Sequence, residues 1–127
     1  MKILGIILAV TTALAFNSSK VSAQSKVKVV EDSIKVYGNC IMCKRRIEKS
    51  LIEQKGVKMV DWNVSTKNLF IAYRPDKISE QQIHQSIAKV GHDTELIKAQ
   101  DSVYTHLPFC CLFRDHDPHT SESRLKH

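Results

Sequence analysis

Residues 34–51, IKVYGNCIMCKRRIEKSL, change their hydrophobic period part way along, and that change decides the fold. Upstream, residues 27–37 (VKVVEDSIKVY) are β-branched and alternate at Ile34 and Val36, the period-two pattern of a strand ending at Gly38. From Cys43 the apolar positions recur every four residues, at Cys43, Ile47 and Leu51. Lys44, Arg45, Glu48 and Lys49 fall elsewhere on the surface, so the spacing predicts a helix, with Gly56 as its C′ residue. Cys40 and Cys43 thus sit on the loop leaving a strand and in the first turn of a helix.

Working outward, Val60, Trp62 and Val64 alternate, STKN (65–68) turns the chain, and Leu69, Ile71 and Tyr73 alternate again before Pro75-Asp76. These segments predict an antiparallel hairpin with Trp62 in the core. Ser79 and Gln82 have capping-box spacing at the start of a second helix, whose inward face is Ile83, Ile87 and Val90 and which Gly91 ends. TELIKA (94–99) supplies a last short strand. The order βαββαβ predicts an α+β, ferredoxin-like sandwich: an antiparallel sheet with two helices on one face. Beyond residue 100 comes a C-terminal extension. Its YTHLPFCCLF (104–113) is apolar and compact, and RDHDPHTSESRLKH (114–127) reads as a solvated end.

The other terminus predicts export. Lys2 supplies a positive n-region, Ile3 to Phe16 form an apolar run too short for a membrane span, and Val21-Ser22-Ala23 offer small residues for cleavage. The expected organisation is a signal peptide at 1–23, a binding domain at 24–100 and the extension at 101–127. A periplasmic or secreted protein with no stable membrane insertion after cleavage follows from it, the alternative being a retained N-terminal anchor. Losing Lys2 and Lys20 lowers the basic count from 19 to 17 against 13 acids, and the formal charge from +6 to +4. Such mild basicity lacks the dense positive stripe of a nucleic-acid binder.

All four cysteines, Cys40, Cys43, Cys110 and Cys111, fall in the expected mature part. In an oxidising compartment an even number suggests disulfides. Against that, two thiols at C-x-x-C spacing can reach one ion, and soft thiolates select thiophilic metals. A helix N-terminus and the adjacent Lys44-Arg45-Arg46 favour thiolate formation. A thioredoxin-like redox pair belongs with a longer α/β succession, which this chain lacks. The spacing therefore favours metal over redox.

GNCIMCKRRIEKSL, the Gly56-Val57 start of the hairpin, YRPDKIS and GHDTE together resemble the heavy-metal-associated (HMA) domain over about residues 28–98. That family includes copper chaperones, N-terminal domains of copper-exporting ATPases and the periplasmic mercury-binding protein. The resemblance implies a βαββαβ sandwich whose cysteines, here Cys40 and Cys43, bind one soft ion and hand it on by ligand exchange. It implies Cu(I) first, then Hg(II) or Zn(II), and a metal-transporting membrane ATPase or efflux system as partner. Two departures stand out. Gly38 occupies the position of a methionine that usually packs beneath the metal loop, which implies a looser loop or a substitute such as Met42. His92 follows Gly91 on the loop facing the metal loop, and a neutral imidazole there is a candidate third ligand, the alternative being an ordinary exposed loop histidine.

The tail carries Y-x-x-L-P-x-C-C, similar to an extension of some secreted bacterial HMA proteins. Two readings stand for Cys110 and Cys111. Folded back beside Cys40 and Cys43, they make an S3 or S4 site suited to storage; alternatively, they form disulfides or pack with Leu107, Phe109 and Leu112. His116 and His119, at H-x-x-H spacing, read as solvated groups near a terminus. The Lys44-Arg45-Arg46 run reads as a solvated helix face or a dock for an acidic partner. No nucleophile with a motif-level base, phosphate loop or paired carboxylates suggests an enzyme. The expected function is an exported soft-metal carrier that captures, sequesters or delivers its ion. The alternatives are a thiol–disulfide redox protein using the same pair and a disulfide-stapled structural module.

Overall fold

The computed structural model describes residues 26–115, so the expected signal peptide and the His116/His119 pair lie outside the described residues. The chain runs β1 (Val30–Lys35), α1 (Ile41–Ile52), β2 (Val57–Trp62), β3 (Asn68–Tyr73) and α2 (Glu80–Lys89). A four-residue helix α3 (Asp101–Tyr104) and a 3-10 turn (Phe109–Cys111) follow. The sheet is antiparallel in the order β1-β3-β2. Its register sets Ile34 and Trp62 on either side of Leu69, and all three are buried. This inner row packs against the stripe that the period of four made on α1, for Cys43, Ile47 and Leu51 are each 0% exposed. Ile83 and Ile87 close the layer from α2. Each such aliphatic side chain contributes roughly 1.5–3 kcal/mol by leaving water.

The capping box is present as expected: Gln82 donates its amide to the Ser79 hydroxyl, and the Ser79 amide donates to the Gln82 side chain. Gly91 ends α2 at φ +96. Gly56 is not the C′ residue of α1, which ends at Ile52 with Glu53 as its cap. It serves the turn into β2 instead, at φ +97, with a Cβ there only 2.5 Å from the Lys77 Cβ.

The sixth element of the ferredoxin-like order shrinks to one bridge, Val36 to Thr94, beside β1. Thr94 itself is the reason. Its hydroxyl accepts the Leu96 and Ile97 amides at 3.3 and 3.0 Å, and its amide donates to the Ile97 carbonyl at 2.8 Å. The chain curls there instead of extending. The bonds from Tyr37 to Asp93 and from Glu95 to Lys35 keep the segment against β1. No helix among the described residues is long and apolar enough to cross a membrane.

Candidate metal centre

The strand-to-helix junction positions the first two sulfurs. Cys40 is the extended N-cap residue of α1 and half-buried; Cys43, one turn on, is fully buried. Their Sγ atoms are 3.4 Å apart, and the Cys43 thiol donates to Asn39 Oδ1 at 3.6 Å. The position that carries Gly38 needs no methionine beneath it. The Trp62 indole fills that space, lying 3.0 Å from where a Cβ on residue 38 would be, and its Nε1 donates to the Val36 carbonyl at 3.1 Å. The substitute for the methionine is therefore Trp62. Met42 is 44% exposed, and its Sδ accepts from the Cys110 thiol at 3.5 Å.

The extension folds back over this junction. Cys111 Sγ lies 3.5 Å from Cys40 Sγ, and Cys110 Sγ lies 3.9 Å from Cys111 Sγ. The sulfurs of Cys40, Cys110 and Cys111 all fall within 4.8 Å of one another. Sulfurs bound tetrahedrally at about 2.3 Å from an ion sit about 3.8 Å apart, so these separations suit shared ligation. All four cysteines are free thiols.

Their electrostatics differ. Partial burial pushes the Cys40 thiol up, but hydrogen bonds from the Cys43 main chain and thiol, and from Cys111 and Cys110, outweigh it, leaving Cys40 below the usual thiol range. Burial raises Cys43. Burial and the adjoining Cys40 and Cys111 push Cys110 up to about 11. Cys111 is pushed up to about 12, first by burial and then by Cys43, although Arg46 beside it pulls the other way. An arriving cation thus finds Cys40 readiest to ionise, and its own charge must displace the protons of the others.

The basic run is not one surface. Lys44 is spent on Glu48, Asp61 and the Trp62 carbonyl. Arg46 Nη1 donates to Cys111 Sγ at 3.2 Å, facing the site, and Arg45 alone of the three is exposed. His92 is 0% exposed and outside the sulfur group. Its Nδ1 lies 2.9 Å from the Tyr37 carbonyl, which can only accept, so the neutral ring carries its proton there and keeps the Nε2 lone pair. Its ring stacks on Phe113 at 5.4 Å. Sequence reasoning set Arg46 near the C-x-x-C thiols, whereas its sulfur partner is Cys111, and it missed His84 as a buried group. His84 Nδ1 pairs with Thr94 Oγ1 at 2.6 Å. The signal for His84 was there: it sits beside Ile83 in α2, one turn before the buried Ile87.

Residues 39–93 match the family profile described as "Heavy-metal-associated domain". That segment includes Cys40 and Cys43 but not Cys110 and Cys111. A "Zinc-transporting ATPase" of Synechocystis sp. is 39% identical over 54 residues, which are 42% of this chain and 8% of that protein. The chain is therefore similar to a small part of that relative. Among solved structures, a CopZ metallochaperone is 26% identical with TM-score 0.50, covering 51% of this chain and 98% of that one. The N-terminal domain of a potential copper-translocating P-type ATPase from Bacillus subtilis, in the Cu(I)-loaded state, is 26% identical with TM-score 0.52. It covers 60% of this chain and 96% of that one.

Proposed function

The chain belongs, through residues 39–93, to the heavy-metal-associated domain family, and on that premise we propose that it is an exported carrier of one soft ion, Cu(I) before Hg(II) or Zn(II). The observation that carries this reading is the sulfur cluster: Cys40 with Cys43 at 3.4 Å and Cys111 at 3.5 Å. Cys40 captures the ion, Cys43 completes the pair, and Cys110 and Cys111 add thiolates that slow its departure. Soft thiolate donors favour Cu(I) and disfavour hard cations. Hand-over to a metal-transporting ATPase or efflux system is supported by the likeness to ATPase segments. Export is supported by Lys2, the Ile3 to Phe16 run and Val21-Ser22-Ala23. The role is binding and delivery, without catalysis.

Anaerobic titration of the reduced protein with Cu(I), against a chromophoric chelator, tests the reading. It should retain one ion per chain, and Cys40→Ser or Cys43→Ser should lose it. Undiminished retention in Cys40→Ser sinks the proposal. The close Cys40–Cys43 thiols also favour a second reading, thiol–disulfide exchange. That reading requires the protein to reduce insulin disulfides at a rate that Cys43→Ser abolishes.

A further inference from the structure

The tail is held by three consecutive residues at the end of α2. Gly91 leaves room for Leu107, whose Cδ2 would stand 3.0 Å from a Cβ there. His92 stacks on Phe113 at an interplanar angle of 20°. Asp93 receives both prongs of Arg114, with Nε to Oδ2 at 2.9 Å and Nη2 to Oδ1 at 2.6 Å. Leu107 precedes the cysteine pair and Phe113 and Arg114 follow it, so the Cys110–Cys111 turn is pinned from both sides. Apolar contacts are non-directional, whereas a bidentate guanidinium–carboxylate pair sets position and orientation together.

Arg114 is also tied to the start of the extension. Its Nη1 donates to Asp101 Oδ1 and its Nη2 to the Ala99 carbonyl, each at 2.8 Å. The guanidinium lies 4.2 Å over the Tyr104 ring, and the Arg114 amide donates to the Tyr104 hydroxyl at 2.9 Å. Arg114 and Asp93 side chains are only 18% and 16% exposed. Arg114 is no part of the hydrophobic core of Ile34, Ile47, Leu69 and their neighbours, whereas Cys111 joins that core and Leu107 and Cys110 pack on it.

We propose that Arg114 is the positioning residue of the metal centre: paired with Asp93 it holds Cys110 and Cys111 at ligand distance from Cys40, and its release opens the site to a two-thiolate pair. The inference rests on the carrier reading for its consequence but not for its test. Latched, the site retains the ion; unlatched, Cys40 and Cys43 give it up by exchange to a competing thiol. Sequence spacing alone assigned Arg114 to a solvated end, and the structure corrects that.

The experiment uses the full chain with Arg114→Gln, Asp93→Asn and the conservative Arg114→Lys. In ion-free protein, alkylation of each cysteine by iodoacetamide is followed by mass spectrometry. Cys110 and Cys111 should react about tenfold faster in Arg114→Gln, the change that corresponds to about 1.4 kcal/mol of latch. Arg114→Lys should recover part of the protection. In Cu(I)-loaded protein, X-ray absorption should show sulfur coordination falling towards two, with release to glutathione faster by a similar factor. Unchanged alkylation of Cys110 and Cys111 in both Arg114→Gln and Asp93→Asn overturns the latch. Absence of Cu(I) binding in the unaltered chain would overturn the carrier reading instead, with the ion-free alkylation still deciding the latch.

Discussion

Protonating His92 inside the fold means charging a fully buried ring whose Nε2 has no hydrogen-bond partner among the described residues. Burial therefore holds His92 down to about 4, against the hydrogen bond to Tyr37, which acts in the opposite sense. An unfolded histidine takes its proton near 6.5. Between those values the unfolded chain binds the extra proton, so stability is complete above about pH 6.5 and falls as the pH drops towards 4. The full loss is about 3 kcal/mol. Urea unfolding of the ion-free protein at pH 7 and pH 4.5 checks this: the difference should shrink in His92→Gln. The place of His92 after Gly91 suggested a metal ligand or an exposed loop histidine, not a fully buried ring. Its packing on Phe113 was not legible, because nothing local in GHD announces a partner 21 residues away in the tail. Gly38 is a similar case. The missing methionine was visible, whereas the indole beneath it comes from β2, and only the register of the sheet brings it there.

The elements were largely legible because each carries a local cause. The period of four gave α1, alternation gave the hairpin, and Ser79 with Gln82 gave the start of α2. TELIKA misled at the level of extent because alternation and β-branching cannot reveal a threonine side chain that captures two amides of its own segment. Thr94 is consequently the hinge of this element. Thr94→Val keeps the shape but removes the acceptor for Leu96 and Ile97 and the partner of buried His84. It should cost about 1–3 kcal/mol in thermal or urea unfolding, the usual cost of stranding buried polar groups. Cu(I) retention should not change, since the cysteine loop is supported by Trp62 and α1. A loss below about 0.5 kcal/mol would show that the curl is not sustained by Thr94.

At the scale of the whole molecule, the C-x-x-C spacing and a fold-back of Cys110 and Cys111 were both readings of the sequence, but the contacts that decide for the fold-back over a separate disulfide were not legible. Cys40 and Cys43 share one junction, whereas Cys111 reaches Cys40 across 71 residues, by contacts that depend on Gly91, Asp93 and Arg114 at once. A chain ending at residue 100 tests what closure contributes. It should still bind one Cu(I) through Cys40 and Cys43, yet lose it faster to glutathione than the full chain. Its thermal midpoint should also fall, because Tyr104, Leu107 and Phe113 no longer cover the end of α2. Unaltered release from the shortened chain would reduce the tail to a structural cover. One further property follows from the single bridge beside β1. A sheet margin normally offers its free donors as a template for another copy's strand. Here Ser33 gives its amide to the Asp32 carboxylate at 2.7 Å and Lys35 gives its amide to the Glu95 carboxylate at 3.1 Å. An incoming strand would have to evict two acidic groups to find its first rungs, so negative charge does the work of the shortened sixth strand and keeps the margin from propagating into ribbons.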